Sequence, residues 1–72
     1  MKTNRKVSSA EFKRIRWKIA LIMHIRPQKV IIDELNISGK FRKIRVYVLG
    51  VFYIVYMSGD VVTQVCMDVD AL

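Results

Sequence analysis

Apolar and polar side chains alternate with a period of two over residues 15–25. Ile15, Trp17, Ile19, Leu21, Met23 and Ile25 take the odd positions; Arg14, Arg16, Lys18, Ala20, His24 and Arg26 take the even ones, with Ile22 breaking the pattern. Period two marks a strand with one buried face, so this segment reads as a first strand. A helix is the alternative. Ser8-Ser9-Ala10-Glu11 has the Ser-x-x-Glu spacing of a capping box, and Ala20, Leu21 and Met23 are good helix formers. Arg26-Pro27-Gln28 ends the element, because proline cannot donate to a central ladder.

Residues 30–37 are rich in β-branched side chains and alternate more weakly, as a second strand. Ser38-Gly39-Lys40 turns the chain into a third, residues 42–49, with Ile44, Val46 and Val48 on one face and Lys43, Arg45 and Tyr47 on the other. Gly50 marks a bulge or bend. Residues 51–57 are apolar on both faces and are expected to form the most buried strand. Ser58-Gly59-Asp60 makes a short hairpin turn into residues 61–69, where Val61, Thr63, Val65, Met67 and Val69 alternate with Gln64 and Asp68. Five short, closely spaced strands predict an all-β fold, a small five-stranded antiparallel barrel whose closure removes exposed edges. The chain divides into a flexible basic tail, residues 1–10, and one domain, residues 11–72.

Charge sharpens this picture. All 13 lysines and arginines lie at or before Arg45, against Glu11, Asp33 and Glu34, giving +10. Beyond Arg45 stand only Asp60, Asp68 and Asp70, giving −3 and the overall +7. With a pI near 10.0, so lopsided a field favours nucleic acid or an anionic membrane over an acidic small substrate. On strands, Arg14, Arg16 and Lys18 project from one face, as do Lys43 and Arg45. Lys40 and Arg42 crown the turn, and Phe41, Tyr47 and Tyr53 offer stacking surfaces to unpaired bases.

Catalysis finds little support. The single His24 has no evident partner, and Asp33 and Glu34, adjacent on a strand, would face opposite ways. No glycine-rich phosphate loop occurs. One cysteine, Cys66, excludes an internal disulfide and a cysteine-based zinc site; it reads as a packed thiol, and His24 as a strand-face residue. The chain is expected not to be an enzyme and to need no cofactor or metal. The start does not resemble a secretory signal, and the longest uncharged stretch, residues 46–59, is too short for a spanning helix. A non-secreted protein of the cytoplasm, or an equivalent reducing compartment, is expected. A membrane partner is not expected, because no amphipathic helix is read in the basic half.

The segment Ile37-Ser38-Gly39-Lys40-Phe41-Arg42-Lys43 resembles the Ile-Ser/Arg-Gly-Lys-x-Arg-Lys element of translation initiation factor 1 and its eukaryotic and archaeal relative, 1A. Residues 46–57 are similar to the Val-Trp-Ile … Ile-Leu-Val run of the 1A branch, and Asp60-Val61-Val62 to its Ala-Asp-Val-Ile segment. The chain departs from the family in carrying Arg26-Pro27-Gln28 where an Asn-Gly or Asp-Gly turn is usual, and Gly50-Val51 where Gly-Asp often follows the third strand. The resemblance implies an OB-fold barrel; strand count and spacing suit an SH3-like barrel as well. It also implies binding to small-subunit ribosomal RNA, with Lys40, Arg42 and Lys43 on its phosphates.

The reading is therefore a non-catalytic RNA-binding protein resembling a translation initiation factor. Its nucleic-acid-binding residues are Lys40, Arg42, Lys43, Arg45, Arg14, Arg16, Lys18, Phe41 and Tyr47. The alternative is a small basic assembly or protein-interaction module, viral or plasmid-borne, pairing through residues 51–57 and 61–69. A mean hydropathy of +0.23 favours the latter. Monomer and homodimer both remain open.

Overall fold

The computed structural model describes residues 2–3 and 8–69. A two-residue strand β1 (Lys2–Thr3) is followed by helix α1 (Ser9–Met23) and a 3-10 turn (Pro27–Lys29). Four strands follow: β2 (Ile31–Ser38), β3 (Phe41–Val48), β4 (Val51–Ser58) and β5 (Val61–Met67). β2 to β5 form an antiparallel meander in sequence order, and β1 adds to the β2 edge in parallel.

Residues 15–25 correct the strand reading: they form most of α1. Ser8 caps it, its Oγ accepting from the Glu11 N–H at 3.1 Å. His24 ends it in the left-handed region at φ 56, and the Ile25 N–H donates to the Ala20 carbonyl at 3.0 Å, a Schellman-type stop. His24 is thus a helix cap and not a strand-face residue. The residues that bury are Ile15, Ile19 and Ala20, with Phe12 and Met23 packed beside them. Their spacing of three to four residues is helical, and the odd-position pattern masked it because Trp17 and Leu21 are apolar yet exposed. The helix takes in Ser9 and Ala10 of the basic tail, with Ser8 as its cap. Residues 1 and 4–7 of that tail lie outside the described residues.

With that segment helical, the barrel is not formed. β1 and β5 sit at opposite edges of an open sheet, so neither the OB-type nor the SH3-like closure is present. The fold is β-rich with one helix. α1 covers one face of the sheet, and Ile15, Ile19 and Ala20 join Ile32, Leu35, Ile37, Ile44, Val46, Val48, Val55 and Met57 in one core. Covering only one face also explains why β4 is not the most buried strand: Val55 and Met57 are buried, but Tyr56 between them is exposed. β3, which buries Ile44, Val46 and Val48, lies at least as deep.

Two register shifts account for the weak alternation of β2 and the misread faces of β5. A shift between Ile32 and Glu34 lets both Ile32 and Leu35, three residues apart, face the helix. A second, at Tyr56/Met57 against β5, similarly turns Val62 and Val65 inward. Cys66 lies within β5, half-buried, its thiol 3.8 Å from the Ile54 carbonyl.

Candidate nucleic-acid interface at the hairpin end

Three elements meet at one end of the molecule. The β2–β3 turn, where Gly39 supplies a φ of 58, is tied to the β4–β5 turn by the Gly59 N–H donating to the Lys40 carbonyl at 2.8 Å. The start of α1 closes on both. The Arg42 guanidinium donates to Glu11 Oε1 at 2.9 Å and to the Lys40 carbonyl at 2.8 Å, and Arg14 lies 3.8 Å from Asp60. Arg42 takes this inward course because it pairs between Ile37 and Met57, both buried residues on the helix-covered face.

The neighbouring side chains go the other way. Phe41, Lys43, Arg45 and Tyr47 alternate onto the open face of β3, which α1 does not cover. The pairing registers set Asn36, Lys43, Tyr56 and Gln64 in one row across four strands. Phe41 pairs with Ser58, so Tyr56 is its diagonal neighbour across the strand boundary. Such diagonal residues stand about 7–8 Å apart, within mutual reach of aromatic rings. Between them runs a groove of about 420 Å³ lined by Ser38, Phe41, Lys43, Tyr56, Thr63 and Gln64 among others, with no carboxylate in its lining. Phe41 is 69% exposed. Neither Lys40 nor Lys43 has an ion pair among the described residues. The groove therefore offers two aromatic surfaces, a flanking cation and hydroxyl and amide groups able to donate and accept.

The other end of the open face is spent on structure. Arg45 lies 3.6 Å from Asp33 and, through Nε, 3.2 Å from Asp68, an ion pair that lacks hydrogen-bond alignment. Its guanidinium stacks 4.4 Å above the Phe52 ring, which in turn packs against Tyr47 at 4.8 Å. Arg45 and Tyr47 are thus already engaged.

The nine residues expected to form one surface are consequently divided. Phe41, Arg42 and Lys43 line the groove, Arg42 with its guanidinium turned to Glu11 on the helix, and Lys40 stands at the turn. Arg45 and Tyr47 form the far cluster. Arg14 and Lys18 lie on the outward side of α1 with Trp17 and Leu21, not on a strand face. Arg16 sits on another flank, 6.0 Å over Phe12, with its Nε buried and unpartnered. Tyr53 packs against the core under the helix and offers no stacking surface. Sequence reasoning missed Tyr56, Thr63 and Gln64; the two glycine turns, which fix the hairpin registers, were the available signal for Tyr56 and Gln64.

Among the described residues no group of three or more His, Cys, Asp or Glu side chains could hold a metal ion. Among the same residues no helix is long and apolar enough to cross a membrane. Compared with known proteins, the chain matches no family model, no curated protein and no solved structure.

Proposed function

We propose that this chain is a non-catalytic RNA-binding protein that receives unpaired nucleotides in the hairpin-end groove. The observation that carries this reading is the pairing of exposed Phe41 and Tyr56 with Lys43 on an uncovered sheet face. An open antiparallel face with protruding aromatics suits splayed bases, each stacking contact contributing about 1–3 kcal/mol. Lys40 and Lys43 supply phosphate contacts. The likeness of residues 37–43 to an initiation-factor loop makes small ribosomal subunits the first natural RNA to assay, although the open sheet lends that narrower reading no support.

Fluorescence anisotropy of a labelled single-stranded RNA over a salt series tests the proposal. Each phosphate contact contributes a slope of about −0.7 in log affinity against log salt on single strands. Lys40→Glu/Lys43→Glu is expected to flatten that slope by about 1.4 and weaken binding, without lowering the melting temperature. Unchanged affinity in this variant, with the parent binding RNA, would place the interface elsewhere.

The assembly reading keeps one observation in its favour. β5 is an edge strand with Val61 and Met67 exposed, a template for pairing with a second chain. A salt-insensitive dimer by sedimentation, without RNA affinity, would replace RNA binding with this reading.

A further inference from the structure

The outward face of α1 carries a feature that the groove does not use. Arg14, Trp17, Lys18 and Leu21 follow one another at i, i+3, i+4 and i+7, so they form one continuous stripe along the helix. Trp17 is 63% and Leu21 73% exposed, and Ile22 beside them is exposed as well. Lys13 and Arg16 flank the stripe. The helix holds a single carboxylate, Glu11, and Arg42 draws it toward the hairpin. Large apolar side chains thus share a convex surface with Lys18, which has no ion pair among the described residues, and with Arg14, whose 3.8 Å contact to Asp60 is more than half exposed on both sides.

We propose that this face docks α1 in the headgroup layer of an anionic lipid membrane. An aromatic ring with neighbouring aliphatic side chains, rimmed by lysine and arginine, is the arrangement by which surface helices lie in the plane of a bilayer. Nucleic acid would use the cations and Trp17 but leave Leu21 and Ile22 in water. A convex helix also needs no complementary groove, which a deformable headgroup layer does not have to provide. The fold extends the same contour. Contacts at Glu11 and Arg14 fix the start of α1 at the hairpin end, so the helix runs toward the β3–β4 end. There Leu49 is also exposed, at 74% on the tip of a turn. As part of helix α1, residues 15–23 supply the amphipathic element that a strand there would not.

Trp17 is the only tryptophan, so its fluorescence reports on this face alone. The full chain is titrated with phosphatidylcholine vesicles, with and without phosphatidylglycerol, some carrying brominated acyl chains. The expected result is a blue shift and bromine quenching of Trp17 with the anionic vesicles only. Each cation near such a surface contributes about a fivefold factor, so Arg14→Gln/Lys18→Gln should lower partitioning about thirtyfold. Leu21→Ser should also lower it, and Lys40→Glu/Lys43→Glu should leave the Trp17 signal in place. An unshifted Trp17, or equal binding to neutral vesicles, overturns the proposal. So does the same shift produced by single-stranded RNA, or by raising protein concentration without lipid, which would assign the face to nucleic acid or to a second copy. RNA binding through the groove that leaves Trp17 emission unchanged keeps the two surfaces separate, so either can fail alone.

Discussion

Arg42 is expected to hold the fold together more than to hold RNA. Its side chain is 15% exposed and that of Glu11 20%, with 2.9 Å between them and a second bond to the Lys40 carbonyl at 2.8 Å. An exposed ion pair contributes about 0–1 kcal/mol. A largely buried, charge-assisted hydrogen bond contributes about 1.5–3 kcal/mol, and its loss here strands a carboxylate that is four-fifths covered. Arg42→Ala should therefore cost about 2–3 kcal/mol. A 72-residue domain has about 4–11 kcal/mol in total. At about 4–8 °C per kcal/mol, melting should fall by roughly 10–20 °C. Thermal unfolding by circular dichroism measures this, and a double-mutant cycle with Glu11→Gln should return a coupling of about 1–2 kcal/mol. A melting temperature within a degree of the parent, or zero coupling, would show that the clasp does not form in solution. Only Lys40 and Lys43 are therefore clean probes of binding, because reversing Arg42 would also break its contact with Glu11.

Two further outcomes follow from the geometry. Leu49 occupies φ 50 in the β3–β4 turn, a conformation costing a non-glycine residue about 1–2 kcal/mol; Leu49→Asn should raise stability by about 1 kcal/mol in denaturant melts. Phe41→Ala and Tyr56→Ala should each weaken single-stranded RNA by about 1–3 kcal/mol in anisotropy titrations, with little change in melting for Phe41→Ala.

Much of the sheet was legible because its three turns are written in glycine. Gly39, Gly50 and Gly59 all take positive φ, and the strands between them begin and end within a residue or two of their expected places. The helix was not legible from periodicity, since Trp17, Leu21 and Ile22 are apolar yet exposed. Only the Ser8 cap and the helix-forming Ala20, Leu21 and Met23, none of them β-branched, pointed to it. That one misreading propagated to the barrel, which needed residues 15–25 as a strand. Lys40, Phe41 and Lys43 are exposed, as a cationic turn requires. Arg42, in the same run, was not separable from them until alternation and pairing sent it inward to Glu11. Arg45 and Tyr47 were lost to the site because their partners, Asp33, Asp68 and Phe52, come from three other segments that only the folded registers bring together.

The most direct measurement is an amide chemical-shift map of the intact chain titrated with a short oligouridylate. RNA binding in the groove predicts the largest changes at Ser38, Phe41, Lys43, Tyr56, Thr63 and Gln64, with the Trp17 indole unmoved. Changes centred on α1 or on Tyr47 and Phe52, or no saturable change at low salt, would contradict the account.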